Sequence, residues 1–429
     1  MWFTYLLVFF NVVLKFDKIN SGLLLLIGQV ADAVSTTFVG IECDKSTGIR
    51  CLKYGNRKIW HLIGTICIVS SFPFIFTPCI GCHNAHVHAQ MVYYSAFVII
   101  FQFGWASVQI SHLALIPELT PSDDQRTQLT TIRYTFTVVS TVVIYILTWL
   151  SLKSKENDNE TEQVGPHDAI YFQRVVYSGL VIGIITSILF HWGVKEDSHL
   201  NISRGRRNHK TVFQFLREMK FYQVAVVYMS SRLFVNIAQV YIPLYLHETL
   251  AVKADILALI PLLMYVGSIT ASTIVNLLNR ISGRKMAFTL GSVIGISACI
   301  WIKFGKNSNY EIYPISFLLG FSGSILIVTS LGLTADLIGF DTDTSAFVYG
   351  AMSFADKLSN GVVVMGIQYI ICAKCPSLYQ NVLVYICGGS ILIGMMSNLS
   401  LKLATRKKFS ASDDERRPIL QRDTNAEFH

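Results

Sequence analysis

The stretch GQVADAVSTTFVGIECDKSTGIRCLKYGNRKIWH, residues 28–61, sets one acid, Asp32, near the middle of an apolar run and follows the run with a short basic loop. Gly28, Asp32 and Thr36 succeed one another at four-residue spacing, so on a helix they share a face. A carboxylate at membrane depth costs roughly 2.5–3.5 kcal/mol on insertion scales, so it is rarely kept there without a partner or a task.

Outward from this stretch, the 429 residues are 52% hydrophobic and 14% charged, with a mean hydropathy of +0.47. That is too little charge for a soluble surface of this size, and it puts the chain in a membrane. Nearly uncharged runs recur at 62–80, 91–117, 134–152, 175–194, 256–279, 286–302, 312–335 and 376–401. Each matches the roughly 17–25 residues that a helix needs to cross the hydrocarbon. Residues 23–41, 222–246 and 346–371 are as long and carry isolated charges, which makes about eleven complete spans. Their polar interruptions are single residues, so an all-α membrane protein is expected rather than the alternating strands of a lipid-facing barrel.

Met1–Leu14 is also apolar, but at about 1.5 Å per residue it reaches only about 21 Å across a core of roughly 30 Å. No basic segment precedes it, which argues against a cleaved signal peptide. It is read as the end of a first helix, truncated at its N-terminus in this chain; a re-entrant or interfacial segment is the alternative.

Lys and Arg crowd alternate loops. Lys45, Arg50, Lys53, Arg57 and Lys58 follow the second span, a basic loop runs from Lys195 to Lys220, and Arg280, Arg284 and Lys285 follow the eighth span. These loops and the tail with Arg406, Lys407 and Lys408 are expected in the cytosol, as are both termini of the full-length protein. Residues 83–90, by contrast, have no Lys or Arg, and the acidic segment 154–168 carries Asn159-Glu160-Thr161, a glycosylation acceptor usable only on the other side. Asn201-Ile202-Ser203 fits the same pattern in a basic loop and is expected to stay unmodified. The net charge of +8 therefore reads as topogenic, not as a nucleic-acid surface; the central loop can also touch anionic membrane lipid.

That loop, 195–220, divides an N-terminal bundle (1–194) from a C-terminal bundle (221–402), with a disordered cytosolic tail (403–429) beyond. Gly55-Asn56-Arg57-Lys58 and Gly283-Arg284-Lys285 echo each other at corresponding places, as expected of a transporter built from parallel repeats.

Polar residues inside the spans mark candidate sites. Gln102, Gln109 and His112 lie on or near one face of the fourth span, either bonding helices together or lining a cavity. Arg133 opens the fifth span, either snorkelling to the interface or reaching Asp32 as a counter-charge. Arg232, Asn236 and Gln239 form a stripe on the seventh span, followed by Pro243, which should kink it. The eleventh span carries Tyr349, Ser353, Asp356, Lys357 and Asn360. Neighbours 356 and 357 point about 100° apart, so at least one faces another helix.

Several strings, namely the Asp32 segment, Gly-Asn-Arg-Lys-x-Trp, Ile116-Pro117 with Arg133 behind it, and Ala335-Asp336-Leu337 leading to Phe354-Ala355-Asp356-Lys357, resemble the glycoside-pentoside-hexuronide:cation branch of the major facilitator superfamily. GLLLLIGQVAD (22–32), SFPFIFTPCIGC (71–82), FQFGWASVQISHLALIPEL (101–119) and TADLIGFDTDTSAFVYGAMSFADK (334–357) narrow the likeness to animal members of that branch, over about Met1–Leu401. The resemblance implies the major facilitator fold, two six-helix bundles, and transport of cysteine from cytosol into lysosomes and melanosomes. In sugar-carrying members the second-helix acid binds the coupling cation and is followed four residues later by another acid. Asp32 fits the first place, but the second is Thr36, and a further fourth-helix acid is replaced by Gln109. Lys357 matches the branch's eleventh-helix lysine and Asp336 its tenth-helix acid. A sodium site needs several oxygens, ideally more than one anionic, so sodium coupling is doubtful while Asp32 can still carry a proton.

Cys79-x-x-Cys82 and Cys372-x-x-Cys375 sit at non-cytosolic span ends, where an oxidising lumen permits bridges. His83, His86 and His88 stand beside Cys82, but their spacing matches no established zinc pattern, so no metal site is assigned. Glu415, Ile419 and Leu420 in the tail resemble an acidic dileucine signal that a sorting adaptor would bind. No phosphate loop or nucleophile–base constellation points to an enzyme. The expectation is a transporter of a small polar substrate, cysteine by resemblance, with no cofactor; a non-transporting membrane scaffold and a sugar:cation symporter are the alternatives. Arg232 or Lys357 would hold a carboxylate, Asp32 a proton or amino group, and Asn236, Gln239, Gln109 and Ser353 would add hydrogen bonds.

Overall fold

The computed structural model describes residues 2–45, 55–81, 85–119, 123–154, 163–194, 217–305, 310–338, 345–370 and 378–401. Among them the chain is helical, without strands. In chain order the helices are α1 (Trp2–Val13), α2 (Lys18–Lys45), α3 (Asn56–Ile75), α4 (Val87–Leu119), α5 (Asp123–Lys153), α6 (Ala169–Gly193), α7 (Met219–Leu244), α8 (Ala254–Asn279), α9 (Ile281–Phe304), α10 (Ile312–Ile338), α11 (Ser345–Ile370) and α12 (Leu378–Ser400). Ten of them are long and apolar enough to cross a membrane. The sequence led us to expect eleven. The difference is α11, which is long enough but has its hydropathy diluted by Asp356, Lys357, Asn360 and Gln368. The least membrane-like of the long helices is thus the one richest in candidate site residues.

Helices α1–α6 and α7–α12 form two halves, which meet where α2 packs on α11, α5 on α8 and α1 on α7. Helix α1 is almost entirely enclosed: Tyr5, Leu6, Phe9 and Phe10 have no exposed surface. Its rings seat against neighbours, Phe9 on Phe76 at 5.3 Å and Phe10 on Tyr94 at 5.1 Å between centroids. Such close packing must hold helices together where lipid is as apolar as the side chains. Pro243 does not end α7. The helix runs past it and converts into a π-turn at Tyr245–Thr249, the irregularity expected after a proline has removed a backbone donor.

The echo between the halves is structural. Gly55 and Gly283 both take the left-handed backbone, with φ of 88° and 77°, which a residue bearing a Cβ rarely adopts. Each turn aims a lysine at the end of the sixth helix of its own half. Lys58 Nζ donates to the carbonyls of His191 (3.0 Å) and Val194 (2.6 Å) after α6, and Lys285 Nζ donates to the Leu401 carbonyl after α12. In both cases a cation meets the negative end of a helix.

The end of the bundle that carries these lysines is the basic end. At the opposite, far end the halves are bonded to each other. Gln163 Nε2 donates to the Ala251 carbonyl at 3.0 Å, His247 Nε2 lies 2.8 Å from the Val164 carbonyl, and Lys18 Nζ sits 5.3 Å from the Tyr379 ring centre. Helix α5 follows the same division: Tyr145, Thr148 and Leu152 are buried toward the far end, and Ile132, Phe136 and Val139 are exposed toward the basic end.

Candidate functional site

Asp32 and Thr36 stand one turn apart on α2, and the Thr36 hydroxyl donates to Asp32 Oδ1 at 3.2 Å. Lys357 reaches them across the boundary between halves, its Nζ lying 2.7 Å from Asp32 Oδ1 and 2.6 Å from Thr36 Oγ1. Its neighbour Asp356 turns the other way, toward α7 of its own half. Arg232 Nε donates to Asp356 Oδ2 at 2.9 Å, and Asn236 Nδ2 lies 3.5 Å from Oδ1. The 100° step between adjacent helical positions therefore sends acid and base to different partners, and neither neutralises the other. Arg232 is also within electrostatic reach of Asp32, so the two pairs form one cluster of two cations and two anions.

The cluster is buried unevenly. The Asp356 side chain is 3% exposed and that of Asp32 9%, whereas Arg232 keeps 36% of its side chain exposed in mid-helix. Arg232 engages Asp356 through Nε, which leaves its two terminal nitrogens without a protein partner among the described residues. Asp32 Oδ2 is likewise unbonded. A guanidinium with two unengaged nitrogens suits a carboxylate, and a carboxylate with a spare oxygen suits an ammonium.

The other expected residues are distributed as follows. Gln239 Nε2 donates to Tyr265 OH at 3.3 Å; the Tyr265 ring lies tilted 5.2 Å from that of Tyr145, whose hydroxyl is 2.7 Å from Thr4 Oγ1. This polar chain joins α7, α8, α5 and α1 beside the cluster. Ser353 is half-buried one turn toward the basic end from Lys357, and Asn360 is fully buried one turn toward the far end. Gln109 is exposed on α4 and outside the cluster.

Two expectations need correction. The partner of Asp32 is Lys357 and not Arg133, which stands just before the apolar span Thr135–Lys153, as expected, and within electrostatic reach of His112 on α4. Helix α5 extends about three turns N-terminal to that span, from Asp123. Asp336 is held at the basic end of α10, 2.5 Å from Arg284 Nη1, which also donates to the Gly332 carbonyl. It fastens the turn between α8 and α9 to α10, away from the charge cluster.

Two features escaped the sequence. Gln29, in the opening stretch itself, is buried beside Asp32, and its only signal was a neutral amide in an apolar run. His61, His112 and His191 gather from α3, α4 and α6, with His61 Nδ1 3.1 Å from His191 Nε2 and the His61 and His112 rings 6.2 Å apart. Spacing within one helix could not disclose that gathering.

No group of three His, Cys, Asp or Glu among the described residues is placed to hold a metal. His86 and His88 stack on each other at 4.9 Å, and Cys79 is disulfide-bonded. Asn159, Cys82, His83, Cys372, Cys375, Glu415, Ile419 and Leu420 lie outside the described residues.

Two helical halves with a neutral charge cluster on their shared boundary define a multi-pass membrane transporter. The chain belongs to the major facilitator superfamily: residues 2–373 match the family described as MFS/sugar transport protein. Over 427 residues it is 40% identical to the mouse protein named Major facilitator superfamily domain-containing protein 12, covering 94% of this chain and 88% of that protein. The human protein of that name is 38% identical over 428 residues, with the same coverage. Among solved structures, the xylose transporter XylE from E. coli in a partially occluded inward-open conformation superposes with a TM-score of 0.66 at 15% identity, covering 95% of this chain and 94% of that one. At that identity the likeness concerns the fold. The protein is a secondary transporter of this superfamily.

Proposed function

We propose that the protein carries a zwitterionic amino acid, cysteine, from the cytosol into lysosomes and melanosomes by alternating access of its two halves. The observation that carries this reading is the paired cluster: Arg232 keeps two guanidinium nitrogens for a carboxylate, and Asp32 keeps Oδ2 for an ammonium. A neutral sugar would bring no charge to either group, whereas a zwitterion brings one of each sign. Cysteine as the cargo, and those organelles as the location, come from the resemblance in sequence. The excess of Lys and Arg at the basic end supports a cytosolic orientation for it, and on that reading the far-end contacts close the lumenal side.

The ammonium of Lys357 occupies the oxygens of Asp32 and Thr36 that a monovalent cation would need, so coupling to sodium is disfavoured and a proton on Asp32 is the natural coupling ion. Protonation of Asp32 releases Lys357, and with it the bond between α2 and α11. Uptake of labelled cysteine by organelles containing wild-type, Asp32→Asn or Lys357→Ala protein tests the reading. Uptake in wild type and its loss in both variants is expected. Full activity in both variants removes the site, and none in wild type removes the transport function.

A further inference from the structure

One turn toward the far end from the two ion pairs, two primary amides are sealed in the boundary between α2 and α11. Asn360 has no exposed surface, and among the described residues neither its Nδ2 nor its Oδ1 has a hydrogen-bond partner. Gln29 is 1% exposed, and its Nε2 is likewise unpartnered. Helices α2 and α11 run antiparallel here and touch closely. A Cβ on Gly361 would lie 3.0 Å from Gln29 Cβ, and one on Gly22 would lie 2.8 Å from Gln368 Cβ. Along this seam Gly22 meets Gln368, Gln29 meets the backbone beside Asn360, and Asp32 and Thr36 meet Lys357.

Such amides are poor packing material. Leu or Met would fill the same space without the cost of unmet donors and acceptors in a dry interface. Nor do the Gln29 Nε2 and Asn360 Nδ2 and Oδ1 atoms act as interhelical glue, since they bond to nothing among the described residues. Their angular position is informative: at about 100° per residue, Asn360 points between the directions of Asp356 and Lys357, roughly 40° from one and 60° from the other. Gln29 occupies the matching place on α2, three residues before Asp32. Both therefore stand about 4.5–6 Å along the axis beyond the charges, three or four residues, which is the reach of a short side chain whose α-carbon is held at the cluster.

We propose that Gln29 and Asn360 are the specificity-determining residues of the transport site, taking the uncharged hydrogen-bonding tip of a small amino acid whose ammonium and carboxylate sit on the ion pairs. This rests on the zwitterion reading given above. The ligand class is an amino acid with one hydroxyl or thiol on its β-carbon, and the apolar analogue without that group is disfavoured because it leaves the amides unmet.

The test is titration of the purified full-length chain with cysteine, serine and alanine, in wild type and in the near-isosteric variants Gln29→Met and Asn360→Leu, with melting temperature as the check on folding. Wild type is expected to bind cysteine and serine at least tenfold more tightly than alanine, and each variant to compress that ratio to within about threefold. Both variants remove unmet polar groups, so their melting temperatures should equal or exceed that of wild type. A ratio unchanged in both folded variants, or no discrimination in wild type, overturns the assignment. Failure of the underlying zwitterion reading looks different: no amino acid binds wild type, or binding is unaffected by Asp32→Asn and Lys357→Ala. Either result overturns the specificity assignment as well.

Discussion

Replacing Lys357 with Met removes the cation facing Asp32 and keeps an apolar chain of similar length. The ammonium lies 2.7 Å from Asp32 Oδ1, and the two side chains are 15% and 9% exposed. At an effective dielectric constant of about 20, unit charges at 2.7 Å attract by about 6 kcal/mol. Desolvation offsets much of that, and stripping one partner from a buried pair costs about 3–5 kcal/mol. Because Lys357 is not fully sealed, Lys357→Met should lose about 3 kcal/mol, the lower end of that range. Adding Asp32→Asn removes the orphaned carboxylate and should restore about 2 kcal/mol of the loss, since a neutral pair of similar volume is tolerated. Denaturant unfolding of the purified single and double variants reads the coupling directly. If the losses of Lys357→Met and Asp32→Asn simply add, the pair is not the contact that ties α2 to α11, and the reasoning fails.

Arg232→Met should orphan Asp356, which is 98% enclosed, and abolish binding of a carboxylate-bearing ligand; amino-acid binding that survives in the folded variant counts against the role of the exposed fork. Lys58→Met and Lys285→Met should each cost about 1–2 kcal/mol, because each removes a charged donor from carbonyls at a helix end. Equal losses in unfolding experiments would reflect the repeat, and a loss in one alone would contradict it. Thiols placed at Gln163 and Ala251 and joined by a short cross-linker should lock the far end and stop turnover. Restoration of turnover on cleavage of the linker is the control.

The residues legible in the sequence were those for which a single helix supplies the argument. Asp32 in an apolar run, the Arg232–Asn236 stripe and the divergence of Asp356 from Lys357 all follow from helical periodicity and the cost of buried charge. Which acid meets which base did not follow, because it depends on the register of α2 against α11. That register goes with the close approach of Gly22 to Gln368 and of Gly361 to Gln29, not with local spacing. Asp336 illustrates the limit: by type and place it resembled a site residue, and only the left-handed turn at Gly283 brings Arg284 onto it. Gln29, His61 and His191 were hidden for a related reason, since their partners lie on other helices and only the fold brings them together.

The most direct test of the central claim is counterflow of labelled cysteine in proteoliposomes holding the purified protein, competed by cysteine, by cysteamine, which lacks the carboxylate, and by N-acetylcysteine, which lacks the ammonium. Two ion pairs reading both ends of a zwitterion predict competition by cysteine and at least tenfold weaker competition by either analogue. Equal competition by cysteamine or N-acetylcysteine would contradict that account.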